Sequence, residues 1–172
     1  MAIRIVRVDG DPILNKVCKP VTEMTDRYRE LIDDMFETME DEDGVGLAAP
    51  QVGILRRIFV ANVGEEDKEN GILTQDDPLV FINPEILETS GSQTGSEGCL
   101  SIPGKVGKVT RPEHVKVKYL DIDMNEQIIE ADGMLARVIC HENDHLDGHL
   151  YSEFAEGPLQ DIEYDDEETD EE

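Results

Sequence analysis

Positive charge is scarce in this chain: 15 Lys and Arg stand against 41 Asp and Glu in 172 residues, a formal charge of −26 and a pI near 4.2. Nucleic acids and anionic membranes are held by clustered cations that displace counterions, so neither partner is expected. Cysteine is scarce too. Cys18, Cys99 and Cys140 cannot all pair with one another, and a reducing compartment, the cytoplasm, is expected, where each is a thiol open to a ligand or nucleophile role. No run approaches the roughly 18 apolar residues of a membrane span. Residues 1–10 carry Arg4 and Arg7 among Ile3, Ile5, Val6 and Val8 without a long apolar stretch or a small-residue cleavage site, so no signal peptide is expected. An internal repeat and a GxxxxGK[ST] phosphate loop are also missing.

At 38% apolar residues the chain can bury a core without disulfides or a structural metal, and its length favours one domain. The acidity is uneven. Residues 153–172 hold 11 Asp or Glu and no Lys or Arg, which leaves −15 for residues 1–152. From Tyr164 onward there is no aliphatic side chain, too little to offset the entropy of ordering, so a single domain over 1–152 is expected with an acidic segment, 153–172, disordered from about residue 164.

Within the domain, Tyr28, Leu31, Ile32, Met35, Phe36 and Met39 recur at steps of three and four, predicting an amphipathic helix between an N-cap at Thr25 and a stop at Gly44. Shorter β-like runs follow at Arg57–Val63, Leu79–Leu87 and His114–Asp121. In the last, Val115, Val117 and Tyr119 alternate with lysines, as a half-buried strand requires, and Gln127–Glu130 is expected to pair with it. Gly64–Pro78 reads as a long loop. Asp132 offers an N-cap to a second helix through Met134, Leu135, Val138 and Ile139, ended by Gly148. Helix, several strands, then helix predicts an α+β fold with mostly antiparallel sheets.

The second helix carries His141-Glu142-Asn143-Asp144-His145, an HExxH motif. Residues four apart differ by about 40° around a helix, so both imidazoles can reach one metal ion while Glu142 exchanges protons beside it. Alone, the motif is equally compatible with two surface histidines on a charged helix. A catalytic site usually adds a third protein ligand. Downstream, the position where a metzincin protease has its third histidine is Tyr151, and His149 falls on the far side of a continuing helix. Upstream, Glu97-Gly98-Cys99-Leu100-Ser101 offers a thiolate, a good soft ligand beside two imidazoles. Gly44-Val45-Gly46-Leu47-Ala48-Ala49-Pro50-Gln51 supplies small residues that permit close backbone approach, and an amide donor at Gln51.

Together, in this order, the three segments resemble the signature boxes of the peptide deformylase family, and the resemblance, which extends to Asp11-Pro12-Ile13-Leu14, spans roughly residues 1–152. Asn143 stands at an apolar position of the pattern, and Cys140 replaces a common glutamine. The resemblance implies antiparallel sheets packed around a central helix bearing the HExxH. It implies removal of the formyl group from N-formylmethionyl nascent polypeptides, with release of formate, in the bacterial cytoplasm. Cys99, His141 and His145 would hold one divalent ion, natively Fe²⁺ in many members, with Zn²⁺, Ni²⁺ or Co²⁺ also compatible. Glu142 would move the proton, and the Leu100 backbone N–H and Gln51 side chain would hold the oxyanion. The peptide would lie as an added strand along Val45, Gly46, Glu97 and Gly98, its methionine in an apolar pocket near Val45, Met134 and Val138. Some members approach the ribosome through a basic C-terminal helix; this chain is acidic there, which leaves ribosome docking open.

Overall fold

A computed structural model describes residues 2–67 and 69–162. The expectation of disorder from residue 164 falls outside the described residues. In chain order the elements are α1 (Asp26–Asp41), β1 (Gly46–Ala48), β2 (Ile58–Asn62), β3 (Glu66–Asp67), β4 (Ile72–Leu73), β5 (Pro78–Ser90), β6 (Gln93–Cys99), β7 (Ile102–Arg111), β8 (His114–Leu120), β9 (Glu126–Asp132), α2 (Gly133–Leu146) and β10 (Gln160–Asp161), with short 3₁₀ turns at Pro12–Asn15, Ala49–Val52 and Tyr151–Glu153.

Thr25 caps α1 as expected, its hydroxyl accepting from the Tyr28 amide at 3.2 Å. The reversal expected at Gly44 falls one residue earlier. Asp43 takes the left-handed conformation, φ 55°, and the Gly44 amide returns to the Met39 carbonyl at 2.8 Å. Asp132 begins α2 but makes no side-chain cap, because its carboxylate pairs instead with His114 Nδ1 at 2.6 Å. Gly148 follows the end of α2 at φ 83°, where a Cβ would stand 2.7 Å from the Asn15 carbonyl oxygen. Only glycine meets both demands.

The main sheet has the order β1-β2-β5-β8-β9, with antiparallel neighbours throughout. Its second strand, β2, is buried on both faces. Ile58 and Val60 join Leu31, Ile32 and Met35 of α1, whereas Phe59 and Ala61 join Val138 and Ile139 of α2. That is why the strand reads as an unbroken apolar run instead of an alternation. Each large side chain so buried contributes about 1.5–3 kcal/mol.

A second sheet, β10-β7-β6, lies on the other side of α2 from the main sheet's core, and α2 touches strands of both. Its β6–β7 hairpin leaves the main sheet after β5 and rejoins it at β8, and those two strands pair directly down to Ser90 and His114. The expected loop at Gly64–Pro78 contains the two-residue strands β3 and β4. Beyond residue 152, Ala155 and Leu159 pack against the cluster of Val109 and Tyr151, and Gln160 and Asp161 pair with Val106 and Lys105 of β7.

Candidate active site

The inner side of α2 is not apolar throughout: Arg137, His141, Glu142 and His145 are all buried on it. Buried ionisable groups need partners, and β6 and β7 supply them. His141 Nδ1 donates to Glu97 Oε1 at 2.8 Å, which leaves Nε2, 3.9 Å from Glu142 Oε1, as the free ring nitrogen. Cys99 Sγ lies 3.4 Å from His145 Nε2. One donor atom each from Cys99, His141 and His145 all fall within 4.8 Å of one another.

Glu97 is the anchor of this arrangement. Arg111 grips both of its oxygens at 2.9 and 3.0 Å, and Arg137 donates to Oε2 at 2.6 Å. Arg111 reaches on to Asp144 at 2.6 Å, and Arg137 to the Val109 carbonyl at 3.1 Å. Burial alone would raise the Glu97 pKa, but hydrogen bonds from His141 and Arg111 outweigh it and hold the carboxyl at about 2. It is therefore a permanent anion that fixes the His141 ring. Burial, helped by the charge of His141, drives His145 well below its ordinary value, so its imidazole is neutral with a lone pair to offer. Burial also raises Glu142, against the pull of His141, to about 7. Glu142 Oε2 and His145 Nδ1 have no hydrogen-bond partner among the described residues.

This donor set fits a divalent transition ion. One sulfur and two imidazole nitrogens suit soft and borderline metals. Donors bonded to such an ion at about 2.0–2.3 Å in a tetrahedron stand roughly 3.5 Å apart, near the spacing found, and three protein donors leave the fourth position open, as in catalytic sites. Burial pushes the thiols of Cys18 and Cys140 up to about 11.

Eleven of the twelve residues nominated from sequence line a single cavity of about 590 Å³: Val45, Gly46, Gln51, Glu97, Gly98, Cys99, Leu100, Met134, Val138, His141 and Glu142. The twelfth, His145, is only 1% exposed and sits behind the wall. The close approach expected of the glycine-rich segment is realised at Gly46, where a Cβ would meet Glu142 Oε1 at 2.8 Å and Val138 Cγ1 at 2.9 Å. Gln51, on the 3₁₀ turn after β1, accepts from the Ala48 amide at 2.9 Å and donates Nε2 to Ser101 Oγ at 3.0 Å, with Cys99 Sγ at 3.5 Å. Leu100 is the first residue of the turn joining β6 to β7. The Glu97 side chain is committed to His141 and the arginines, so its backbone is what a peptide can use.

Sequence reasoning passed over Arg111 and Arg137. A signal for the second was present: Arg137 lies one turn before His141, on the helix side that carries the HExxH motif. Of the two departures from the family pattern, Cys140 is absorbed into the apolar cluster between α2 and the main sheet, and Asn143 Oδ1 has no hydrogen-bond partner among the described residues.

Fold and site together define a metal-dependent hydrolase of amides. The family model for polypeptide deformylase matches residues 3–158. A peptide deformylase of Agathobacter rectalis is 58% identical over 96% of this chain and 98% of its own. The crystal structure of the enzyme from Thermotoga maritima superposes with a TM-score of 0.83 at 40% identity, covering 91% of this chain and all (100%) of that one. That of Ehrlichia chaffeensis in complex with actinonin does so with a TM-score of 0.83 at 39% identity, covering 91% and 90%. The chain belongs to the polypeptide deformylase family, and it removes the N-formyl group from N-formylmethionyl nascent polypeptides, releasing formate. Among the described residues no helix is long and apolar enough to cross a membrane.

Proposed function

We propose that Cys99, His141 and His145 hold one divalent ion, Fe²⁺ in the cell with Zn²⁺, Ni²⁺ or Co²⁺ able to replace it, and that Glu142 is the general base and acid of deformylation. The observation that carries this reading is the convergence of the three donors within 4.8 Å beside Glu142. When bound, the ion supplies Lewis-acid polarisation of water and of the formyl oxygen. Glu142 Oε2, which has no competing partner, takes the proton of the attacking water and returns it to the amine nitrogen as the C–N bond breaks. Gln51 Nε2 has two hydrogens. Ser101 takes one, and the other, close only to Cys99 Sγ at 3.5 Å, is available with the Leu100 N–H to the developing oxyanion.

The formylated peptide lies extended between Val45–Gly46 and Glu97–Gly98, bonded through its main chain as an added strand, with the methionine side chain against Val45, Met134 and Val138. Main-chain recognition accepts any sequence after the methionine, which suits an enzyme that meets every nascent protein. The enzyme works in the bacterial cytoplasm without direct nucleic-acid contact. Its catalytic domain is a single unit over residues 1–152, followed by the acidic segment 153–172, of which Gln160 and Asp161 pair with β7.

Glu142→Gln tests the assignment. Protein purified anaerobically should carry one metal per chain in both forms, while formate release from formyl-Met-Ala-Ser falls at least about 10²- to 10⁴-fold in the variant. Full turnover by a metal-loaded variant would refute the role given to Glu142.

A further inference from the structure

Tyr151 is a large buried side chain beside the site, and deformylation as described leaves it without a role. It stands where the metzincin pattern has a third histidine. α2 ends at Leu146, and the turn Tyr151–Glu153 brings the residue back beside the motif all the same. Its ring is stacked on that of His141, with centroids 5.7 Å apart and planes 25° from parallel, and it is only 1% exposed. The hydroxyl is committed to β7, donating to the Lys105 carbonyl at 3.3 Å. The same strand leaves room for the ring, since a Cβ at Gly107 would come to 3.2 Å from Tyr151 Cε2. His145 meets His141 edge-on, with 5.2 Å between centroids and 69° between planes.

We infer that Tyr151 is a positioning residue for the metal site: the face of its ring fixes the plane of the His141 imidazole and keeps Nε2 aimed at the other two donors. The inference rests on the reading of Cys99, His141 and His145 as the ligands. The Glu97 hydrogen bond pins one ring atom, Nδ1, and a ring pinned at one point can still swing about it. A flat neighbour removes the swing. Aromatic rings favour offset stacking with centroids about 4.5–7 Å apart, the spacing found here. An imidazole that shares its Nε2 lone pair with a cation is electron-poor, and the electron-rich face of a phenol attracts it more strongly than it attracts the free ring. Tyr151 therefore favours the loaded site over the empty one, which an aliphatic side chain of similar volume does not do. It also keys α2 to the hairpin: Lys105 and Gly107 of β7 set the ring, the ring sets His141, and β6, paired with β7, carries Cys99.

The test uses protein loaded with Zn²⁺, whose transfer to an excess of a coloured chelator reads metal retention without turnover, and protein loaded with Co²⁺, whose visible absorption reads the arrangement of the donors. Tyr151→Leu should release zinc about tenfold faster, the lower end of what loss of a ligand's outer support costs, and should alter the Co²⁺ bands. Tyr151→Phe keeps the ring and should match the parent in both. Gly107→Ala retains every atom of Tyr151 but displaces its ring, and should move both readings in the direction of Tyr151→Leu by less. Leu14→Ala empties a buried position of the same apolar cluster that has no ring to stack, and should match the parent in both however far its urea midpoint falls. Parent-like zinc retention by Tyr151→Leu, or by Gly107→Ala should the leucine variant not fold, overturns the inference. So does a Tyr151→Phe that leaks as fast as Tyr151→Leu, since the hydroxyl and not the ring face then matters. Equal leakage from Leu14→Ala overturns it too, by making Tyr151 core filling and nothing more. A His141→Ala that holds zinc as tightly as the parent would instead overturn the ligand set, whatever Tyr151 does.

Discussion

The two helices cover opposite faces of the same main sheet and bury very different things. α1 sets Leu31, Ile32, Met35 and Met39 against Ile58, Val60 and Ile82, and its two buried polar side chains are both satisfied by the N-terminal strap: Asp34 accepts from the Ala2 amide at 2.7 Å and Thr38 from the Arg4 amide at 2.9 Å. α2 also packs on the sheet, through Ala136, Val138 and Ile139, but on its other side it buries Arg137, His141, Glu142 and His145. A dry apolar face is gained at little cost. Ionisable groups out of water are costly unless every one is matched; among the described residues α1 leaves one buried side-chain atom without a partner, Glu37 Oε2, and α2 leaves three, Glu142 Oε2, Asn143 Oδ1 and His145 Nδ1. One face of the sheet is organised for stability, the other for chemistry at stability's expense.

The comparison can be tested by perturbing each side in turn. On the α2 side, Arg111→Met strips the bidentate partner from Glu97 and leaves a buried carboxylate short of hydrogen bonds. Stability should fall by about 3–5 kcal/mol in urea titrations, and metal affinity should drop because the His141 ring loses its fixed support. A variant destabilised without any loss of metal affinity would show that Glu97 holds the fold and not the ring. On the α1 side, Met35→Ala empties a position that is 0% exposed and should cost about 2–5 kcal/mol, while formate release per folded molecule stays that of the parent. A matching fall in turnover would erase the distinction between the faces.

The smallest effect belongs to the strap. Burial raises the Asp34 carboxyl, but the Ala2 amide and Arg4 more than offset it, so its folded pKa lies below the ordinary 3.8. A depressed carboxyl contributes stability above its unfolded value and loses it as pH falls through the folded one. Asp34→Asn should therefore cost about 1 kcal/mol near neutrality, and the difference from the parent should shrink as the pH drops below about 3.8. A difference that stays constant into strong acid would show that shape and not charge holds the strap.

What sequence alone could reveal followed the same division. The α1 stripe, the alternation in β8 and the paired histidines of α2 were legible because period and spacing write burial directly into residue type. The β6–β7 hairpin was not. The inward positions of its first strand, β6, are Gly95, Glu97 and Cys99, of which only the glutamate is buried, and β7 turns a glycine and an arginine inward beside Val109, so no apolar alternation marks it. Three ligand residues could be nominated from motif and resemblance, but the arginines that hold Glu97 could not, since Arg111 ends a glycine-bearing strand and acts across a sheet to a helix about thirty residues on. At the end of α1 it is Asp43 that takes the left-handed conformation, while the Gly44 amide closes on the Met39 carbonyl. Asp132 lost its expected capping bond to a cross-strand histidine, a competition that only tertiary structure can decide.

The hairpin's mode of attachment bears on how the enzyme breathes and how it can change. Because β5 and β8 pair directly, residues 91–113 form a side excursion whose two roots are already joined. Such an excursion can open as a cooperative unit while the ladder beneath it stays shut, so amide protons of β6 and β7 should exchange as a group ahead of those in β2 and β5. It can also be lengthened, shortened or recast at its tip without re-registering the main sheet. The sulfur ligand and one lip of the peptide cavity are thus carried on a replaceable module, and the imidazoles on a fixed one.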